Sequence, residues 1–174
     1  NLSAKAIMGV AAYALLQKRA GDADLAAQMM DKAREMAKSW LARADRPEGS
    51  CLTFDGQGWS MKYNLLWDKV LHLGLLPDSF YAAETASYLP RINRYGLPLD
   101  SRASYTKSDW LCWSAALSDD PAVRAAMIAP VARMLRETES RVAFTDWYDT
   151  ETGRTVHFVA RSVQGGLFAL MLRP

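Results

Sequence analysis

Cysteine and histidine are scarce in this chain. Its 174 residues hold two cysteines, Cys51 and Cys112, and two histidines, His72 and His157. Two cysteines are too few for a disulfide scaffold or a cysteine-ligated zinc. The histidines have no partner one helical turn away, so no metal site and no cofactor are expected. A charge of one sign is also missing: 21 Lys plus Arg stand against 19 Asp plus Glu, a formal net charge of +2. With the signs interleaved, no basic footprint for nucleic acid or anionic lipid arises. The longest apolar stretch, Ala6 to Leu16, is 11 residues, whereas a membrane span needs roughly 20. No basic segment precedes an apolar one at the start, so no signal peptide is expected. Serine-protease, P-loop, Rossmann and zinc-hydrolase patterns are absent too.

What is present suits a folded domain. Half of the residues are hydrophobic and 23% are charged, enough for one core, and the length predicts a single domain over 1–174. The apolar period is helical. Ser3 is a candidate cap for a helix carrying Ala6, Ile7, Val10, Ala11, Ala14 and Leu15 on one face. Gly21-Asp22 turns the chain into a second helix that ends near Leu41, whose methionines lie at core spacing. A second pair is expected over about 63–73 and 77–89, with Pro77 in the first turn of its second helix. A third is expected over about 107–117 and 121–136, after the caps Asp119 and Asp120, with Pro130 kinking its second helix. The stretch from Val163 to Leu172 reads as a further single arm, in which Gly165-Gly166 allows close helix packing. The fold class is all-α, built from helical hairpins.

Three long connections, about 45–61, 91–106 and 140–160, separate these hairpins, and loops of that length are usually functional. They gather the aromatic, charged and glycine residues. A weak repeat accompanies them: Lys62-Tyr63-Asn64-Leu65-Leu66 and Lys107-Ser108-Asp109-Trp110-Leu111 lie 45 residues apart, and Arg161-Ser162-Val163 keeps the basic position. Repeated hairpins of this period suggest an α-toroid or solenoid, which would place equivalent loops on one rim.

The rim candidates are acids and bases at loop–helix junctions. Asp109 reads either as a helix-start carboxylate or as a functional acid, and Asp149 as a turn residue. Arg102 and Arg161 read as loop tethers or as substrate contacts. Trp67 and Trp113 read as core; Trp59, Trp110 and Trp147 divide between packing and pocket wall. A carboxyl beside aromatic rings is raised in pKa and can act as an acid, while a second, ionised one can activate water. Such pairs cleave glycosidic bonds, and the same logic serves an amide. A free amino acid would also need a cation for its carboxylate and an acid for its ammonium.

Longer motifs point to a family. Asn1-Leu2-Ser3-Ala4-Lys5-Ala6-Ile7-Met8-Gly9, the stretch Trp59-Ser60-Met61-Lys62-Tyr63-Asn64-Leu65-Leu66-Trp67-Asp68-Lys69, and Tyr95-Gly96-Leu97-Pro98-Leu99-Asp100-Ser101-Arg102 resemble segments of the glutaminase A family. Tyr105-Thr106-Lys107-Ser108-Asp109-Trp110, Asp146-Trp147-Tyr148-Asp149-Thr150 and Ala160-Arg161-Ser162-Val163-Gln164-Gly165-Gly166 continue the resemblance in order. It implies a six-hairpin glycosidase-like (α/α)6 toroid, of which these hairpins make about half. It implies hydrolysis of L-glutamine to L-glutamate and ammonia, and an extracellular or periplasmic location. It also implies that the chain is the C-terminal portion of a larger domain. The N-terminal remainder, or a homodimer mate, would then cover otherwise exposed helix faces.

On this reading Asp109 and Asp146 carry the acid–base work, one protonated and one ionised. Trp59, Lys62, Asn64, Asp100, Arg102, Lys107, Trp147 and Arg161 contact the small-molecule substrate, glutamine or a glycan. A glycoside hydrolase on the same ring, stacking sugars on Trp59 and Trp147, is the alternative. A non-catalytic binding module is the third reading.

Overall fold

A computed structural model describes residues 1–141 and 143–173. Val142, in the third long connection, and Pro174, at the end of the expected domain, lie outside the described residues. The chain is all-α in architecture, built from helical hairpins as its periodicity predicts. Helix α1 spans Leu2–Ala20 and α2 spans Ala23–Ala44. Because α1 already begins at Leu2, Ser3 sits inside its first turn and caps nothing. Gly21, with φ +91°, makes the left-handed turn that ends α1, and the Asp22 carboxylate accepts the Leu25 N–H at 3.0 Å to start α2. Alanines dominate the buried seam: Ala4, Ala11 and Ala14 face Ala26, Ala33 and Ala37, with Trp40 closing one end. Small side chains let the two helices approach closely.

The second pair departs from its expected length. A 3₁₀ turn, Tyr63–Leu65, leads into α3, Leu66–Val70, and α4 follows at Asp78–Tyr88. The apolar pattern predicted a helix to residue 73, but the buried Asp68 carboxylate stops it. It accepts the Leu75 N–H at 3.0 Å, the Leu76 N–H at 3.1 Å and the Tyr81 hydroxyl at 2.6 Å. Three bonds to the chain beyond α3 favour a reversal over another helical turn, and His72 and Gly74 both adopt positive φ in it. Pro77 immediately precedes α4, and Leu89–Arg91 closes it with a 3₁₀ turn through Pro90.

In the third pair α5 spans Ser108–Ala115 and α6 spans Pro121–Glu137, running through Pro130. Asp120 caps α6 by accepting the Ala122 N–H at 2.7 Å. Asp119 instead meets Lys69 at 3.1 Å and Arg173 at 2.5 Å. The closing arm, Ser162–Leu172, winds as a 3₁₀ helix against α5. A Cβ on Gly166 would stand 2.7 Å from Asp109 Cβ and 2.8 Å from Trp113 Nε1, so glycine is required for that approach. Gly165 has open space instead.

Two short strands were not foreseen. Strand β1, Tyr105–Lys107, pairs antiparallel with β2, Trp147–Asp149, setting Tyr105 opposite Asp149 and Lys107 opposite Trp147. Three-residue strands are too short to show a period of two. This ladder joins the second long connection to the third. The first joins the second through a Ser60–Asp100 bridge and a Met61 N–H bond to Leu99 O at 3.0 Å. The three connections therefore lie side by side, over a core of Met61, Tyr88, Leu97, Leu111 and Met127.

Among the described residues no helix is long and apolar enough to cross a membrane. Both cysteines are buried and free. Leu2 and Leu16 on α1, with Phe168 and Met171 on the closing arm, are more than half exposed.

Candidate active site

Lys107, Asp109, Asp146, Trp147 and Arg161 meet in one cluster where β1, β2, α5 and the closing arm adjoin. The β1–β2 register sets Lys107 against Trp147, and the Ser108 N–H donates to Asp146 O at 2.8 Å. Asp146 is fully buried. Its Oδ2 takes Lys107 Nζ at 3.1 Å, and Arg161 donates Nε to Oδ1 at 3.0 Å and Nη2 to Oδ2. Lys107 Nζ also lies 4.9 Å from the centre of the Trp147 ring and 5.1 Å from that of Trp110. The Arg161 guanidinium lies 4.5 Å from the centre of the Phe158 ring. Ammonium and guanidinium groups are attracted to ring faces at such distances.

The two aspartates are driven apart in acidity. Asp109, in the first turn of α5, is 4% exposed, and its Oδ1 is buried with no hydrogen-bond partner among the described residues. Burial raises its pKa above the ordinary carboxyl value, and the negative charge of Asp146 adds to the rise. The Trp110 N–H and the Lys107 charge oppose that rise without cancelling it. Burial pushes Asp146 upward too, but hydrogen bonds from Arg161 and Lys107 outweigh it and hold that carboxyl below its ordinary value. One carboxyl is therefore raised and its neighbour lowered, the direction in which acid–base pairs divide their labour.

A second group surrounds a cavity of about 410 Å³. Asp100, 5% exposed, accepts Arg102 Nε at 2.9 Å, Nη2 at 2.7 Å and the Arg102 backbone N–H at 2.9 Å. Burial raises the Asp100 carboxyl, yet the Arg102 bonds and charge bring it below the ordinary value. The Arg102 side chain is 67% exposed and that of Asp100 6%, so the pair presents the guanidinium to the opening. Lys62 also lines this cavity, but its ammonium is spent on the protein. It donates to Ser60 O at 2.9 Å, Ser60 Oγ at 2.9 Å and Ser50 O at 3.3 Å. Burial lowers its pKa, and the Glu84 charge partly offsets the fall. Glu84 in turn accepts the Ser50 N–H, the Ser50 hydroxyl and the Tyr88 hydroxyl, each at 2.8 Å. Lys62 pins the first long connection to the core.

The remaining candidates stand apart from both groups. Asn64 lines a separate cavity of about 740 Å³ walled by Trp67, Trp110 and Trp113, and its amide donates to Asn1 O at 3.4 Å. Trp67 and Trp113 touch each other edge-on at 5.4 Å and are half-buried at the margin of the core, not inside it. Trp59 lies beside Ser101, with the Arg91 guanidinium 4.9 Å from its ring centre. Asp149 organises a turn, accepting the Glu151 and Thr152 N–H groups at 3.1 and 2.8 Å.

Sequence reading passed over Tyr63, Phe158 and Glu84. Glu84 lies on α4, away from every motif, and only the fold brings it to Ser50 and Tyr88. Tyr63 did carry a signal, because it lies inside the repeat between Lys62 and Asn64. Lys62, Lys107 and Arg161 each flank the start of a helical segment. A cation there opposes the helix dipole, so the repeated position serves something other than helix stability.

Residues 1–171 match the model of the glutaminase A six helical-hairpin domain. The chain is 34% identical to glutaminase A of Aspergillus oryzae across 180 aligned positions, covering 99% of this chain and 26% of that protein. It is 29% identical across 204 positions to a protein named probable glutaminase of Arthroderma benhamiae, covering 98% of this chain and 24% of that one. The chain thus spans about a quarter of the length of the curated relatives it matches.

Proposed function

The chain belongs to the family of the glutaminase A six helical-hairpin domain, and from that premise we propose that its rim loops form part of an amidohydrolase site that splits L-glutamine into L-glutamate and ammonia. Asp109 carries the reading: a buried carboxyl with an unpartnered oxygen and a raised pKa, beside an aspartate whose pKa is lowered by two cations. In this scheme protonated Asp109 gives its proton to the departing amide nitrogen. Water adds its oxygen to the carbonyl carbon as the C–N bond breaks, and the proton that water loses restores Asp109. Asp146 stays ionised, and with both oxygens engaged its part is to hold Lys107 and Arg161 in place.

Glutamine is a zwitterion at its α-carbon, and the exposed Arg102 guanidinium suits its carboxylate, while Asp100, with both oxygens engaged, holds that guanidinium in place. Lys62 falls outside this scheme, because its donors are already taken. We further propose that the chain is the C-terminal part of a larger toroidal domain of a secreted protein. Its remaining helices would cover exposed Leu2, Leu16, Phe168 and Met171.

The test is ammonia release from L-glutamine by the full-length polypeptide, with L-asparagine as the control. Glutamine-selective release supports the reading; no release from folded protein overturns it. The same split carboxyl pair, set among aromatic faces, also suits a glycosidic bond. Reducing ends released from a glycoside panel, without ammonia, would move the assignment there.

A further inference from the structure

Lys107, Asp109, Asp146 and Arg161 line neither of the two cavities described above. Their cluster is closed, yet its polar atoms are not all paired. Asp109 Oδ1, Trp147 Nε1 and Gln164 Nε2 are buried without a partner among the described residues. Gln164 belongs to this group because its Oε1 accepts the hydroxyl of Ser108, the residue before Asp109, at 3.4 Å. Buried polar atoms left unpaired call for a missing occupant. Over the cluster lies the exposed segment 157–160. The centre of the Phe158 ring is 5.5 Å from that of Trp147, 4.5 Å from the Arg161 guanidinium and 6.0 Å from Lys107 Nζ. The His157 ring lies 4.8 Å from Trp147.

The covering segment is held in an unfavourable backbone. His157 has φ +60° and Ala160 φ +54°, left-handed values that a Cβ disfavours. It belongs to no helix or strand, and Phe158 is 49% exposed. Its two feet are fixed: the Val156 N–H donates to Trp147 O at 2.9 Å, and Arg161 Nε donates to Asp146 Oδ1 at 3.0 Å. Between them the Ala160 N–H donates to Phe144 O at 3.0 Å, and the Thr145 hydroxyl reaches Phe158 O at 2.8 Å. Fixed feet, strained joints and a half-exposed ring seated beside two cations are the parts of a strap. Resting on the amidohydrolase reading above, which puts the chemistry in this cluster, we propose that residues 157–160 form a strap that lies closed over Lys107, Trp147 and Arg161 and lifts about His157 and Ala160 to admit the substrate. Lifting relieves the left-handed backbone and uncovers Trp147 Nε1. It explains how a buried acid with an unpartnered oxygen can be reached from a closed resting state.

The experiment follows hydrogen exchange of the Trp147 indole N–H by NMR, in the full-length polypeptide isotopically labelled on its tryptophans, with Trp147→Phe to assign the signal. Buried but unbonded, that proton is protected by cover alone. It should exchange far faster than the backbone amides of α5, through local opening. Phe158→Ala removes the ring seated beside the cations, whereas Ala160→Val keeps the ring and makes the left-handed φ costlier. Each should speed the exchange by about tenfold. KM for glutamine should fall in step, because only the lifted form accepts substrate. Exchange that accompanies global unfolding only, at one rate in wild type and both variants, overturns the strap. Faster exchange with an unchanged or higher KM overturns its role in admission and leaves the amidohydrolase reading standing. A folded wild type that releases no ammonia overturns that reading and the admission of glutamine with it, while the exchange rates still decide whether the strap lifts.

Discussion

Lys62 and Lys107 occupy matching places in the repeat, each flanking the start of a helical segment, yet the fold treats them differently. Lys62 is 1% exposed, and all three of its ammonium donors reach oxygens of Ser50 and Ser60. The carboxylate nearest to it in the network, Glu84, is filled by Ser50 and Tyr88. Lys107 has one anionic partner, Asp146, and otherwise faces aromatic rings. Two positions along, Asp109 holds an oxygen with no described partner. A buried polar group left unpaired is costly, and a fully satisfied network makes a rigid anchor. The region with spare capacity is the one suited to a ligand; the saturated region is the one that holds the loops still.

Four substitutions or titrations separate these roles, taken from the largest effect to the smallest. Asp109→Asn should lower kcat by about 10²–10⁴-fold, the range for a lost general acid, with an unchanged far-UV spectrum. Retention of full turnover would remove Asp109 from the chemistry. Glu84→Ala acts in the saturated region and should do the reverse. It strands the Ser50 and Tyr88 donors beside a buried ammonium, so denaturant titration should show a loss of about 3–5 kcal/mol. Turnover per folded molecule should be retained at a temperature where the variant is still folded.

Gly166→Ala tests the contact between the closing arm and α5. The new methyl would collide with Asp109 Cβ and Trp113 Nε1. An overpacking loss of about 1–3 kcal/mol is expected, together with a lower kcat because Asp109 is displaced. Gly165→Ala, with open space around it, is the control and should change neither.

The pH dependence of stability gives the smallest signal and the clearest sign. Asp146 is depressed in the folded state, so its contribution is complete above its unfolded pKa of about 4. That contribution is lost as pH falls through the lower folded value. Asp146→Asn should therefore be less stable than wild type near neutrality and approach it in acid. Asp109 is raised, so the stability it contributes is complete below about pH 4 and is lost as pH rises through its folded pKa. Asp109→Asn should flatten that second limb. Equal acid and alkaline limbs in wild type and both variants would contradict the assignment of opposite charge states.

Much of the hairpin framework was legible in the sequence. The Gly21-Asp22 turn, Pro77 before α4, Asp120 before α6 and the tight approach at Gly166 follow from local rules that need no knowledge of distant residues. The residues of the Lys107 cluster were legible as types, because acids and bases at loop–helix junctions stood out against the apolar periods. Their grouping was not. Lys62 and Asn64 carry the same pattern as Lys107 and Asp109, yet Lys62 is consumed by carbonyls and Asn64 faces a tryptophan-lined cavity. The early stop of α3 depended on Asp68 reaching beyond its own helix, and the β1–β2 ladder depended on two segments some forty residues apart in the chain.

The sequence by itself determined where helices run and which polar residues gather in the long connections, because hydrophobic period and turn chemistry act over a few neighbours. Only the tertiary structure decided which carboxyl is raised in pKa and which is lowered. That choice depends on how many donors converge on each oxygen and how completely water is excluded. Lys107 and Arg161 reach Asp146 from two separate segments of the chain.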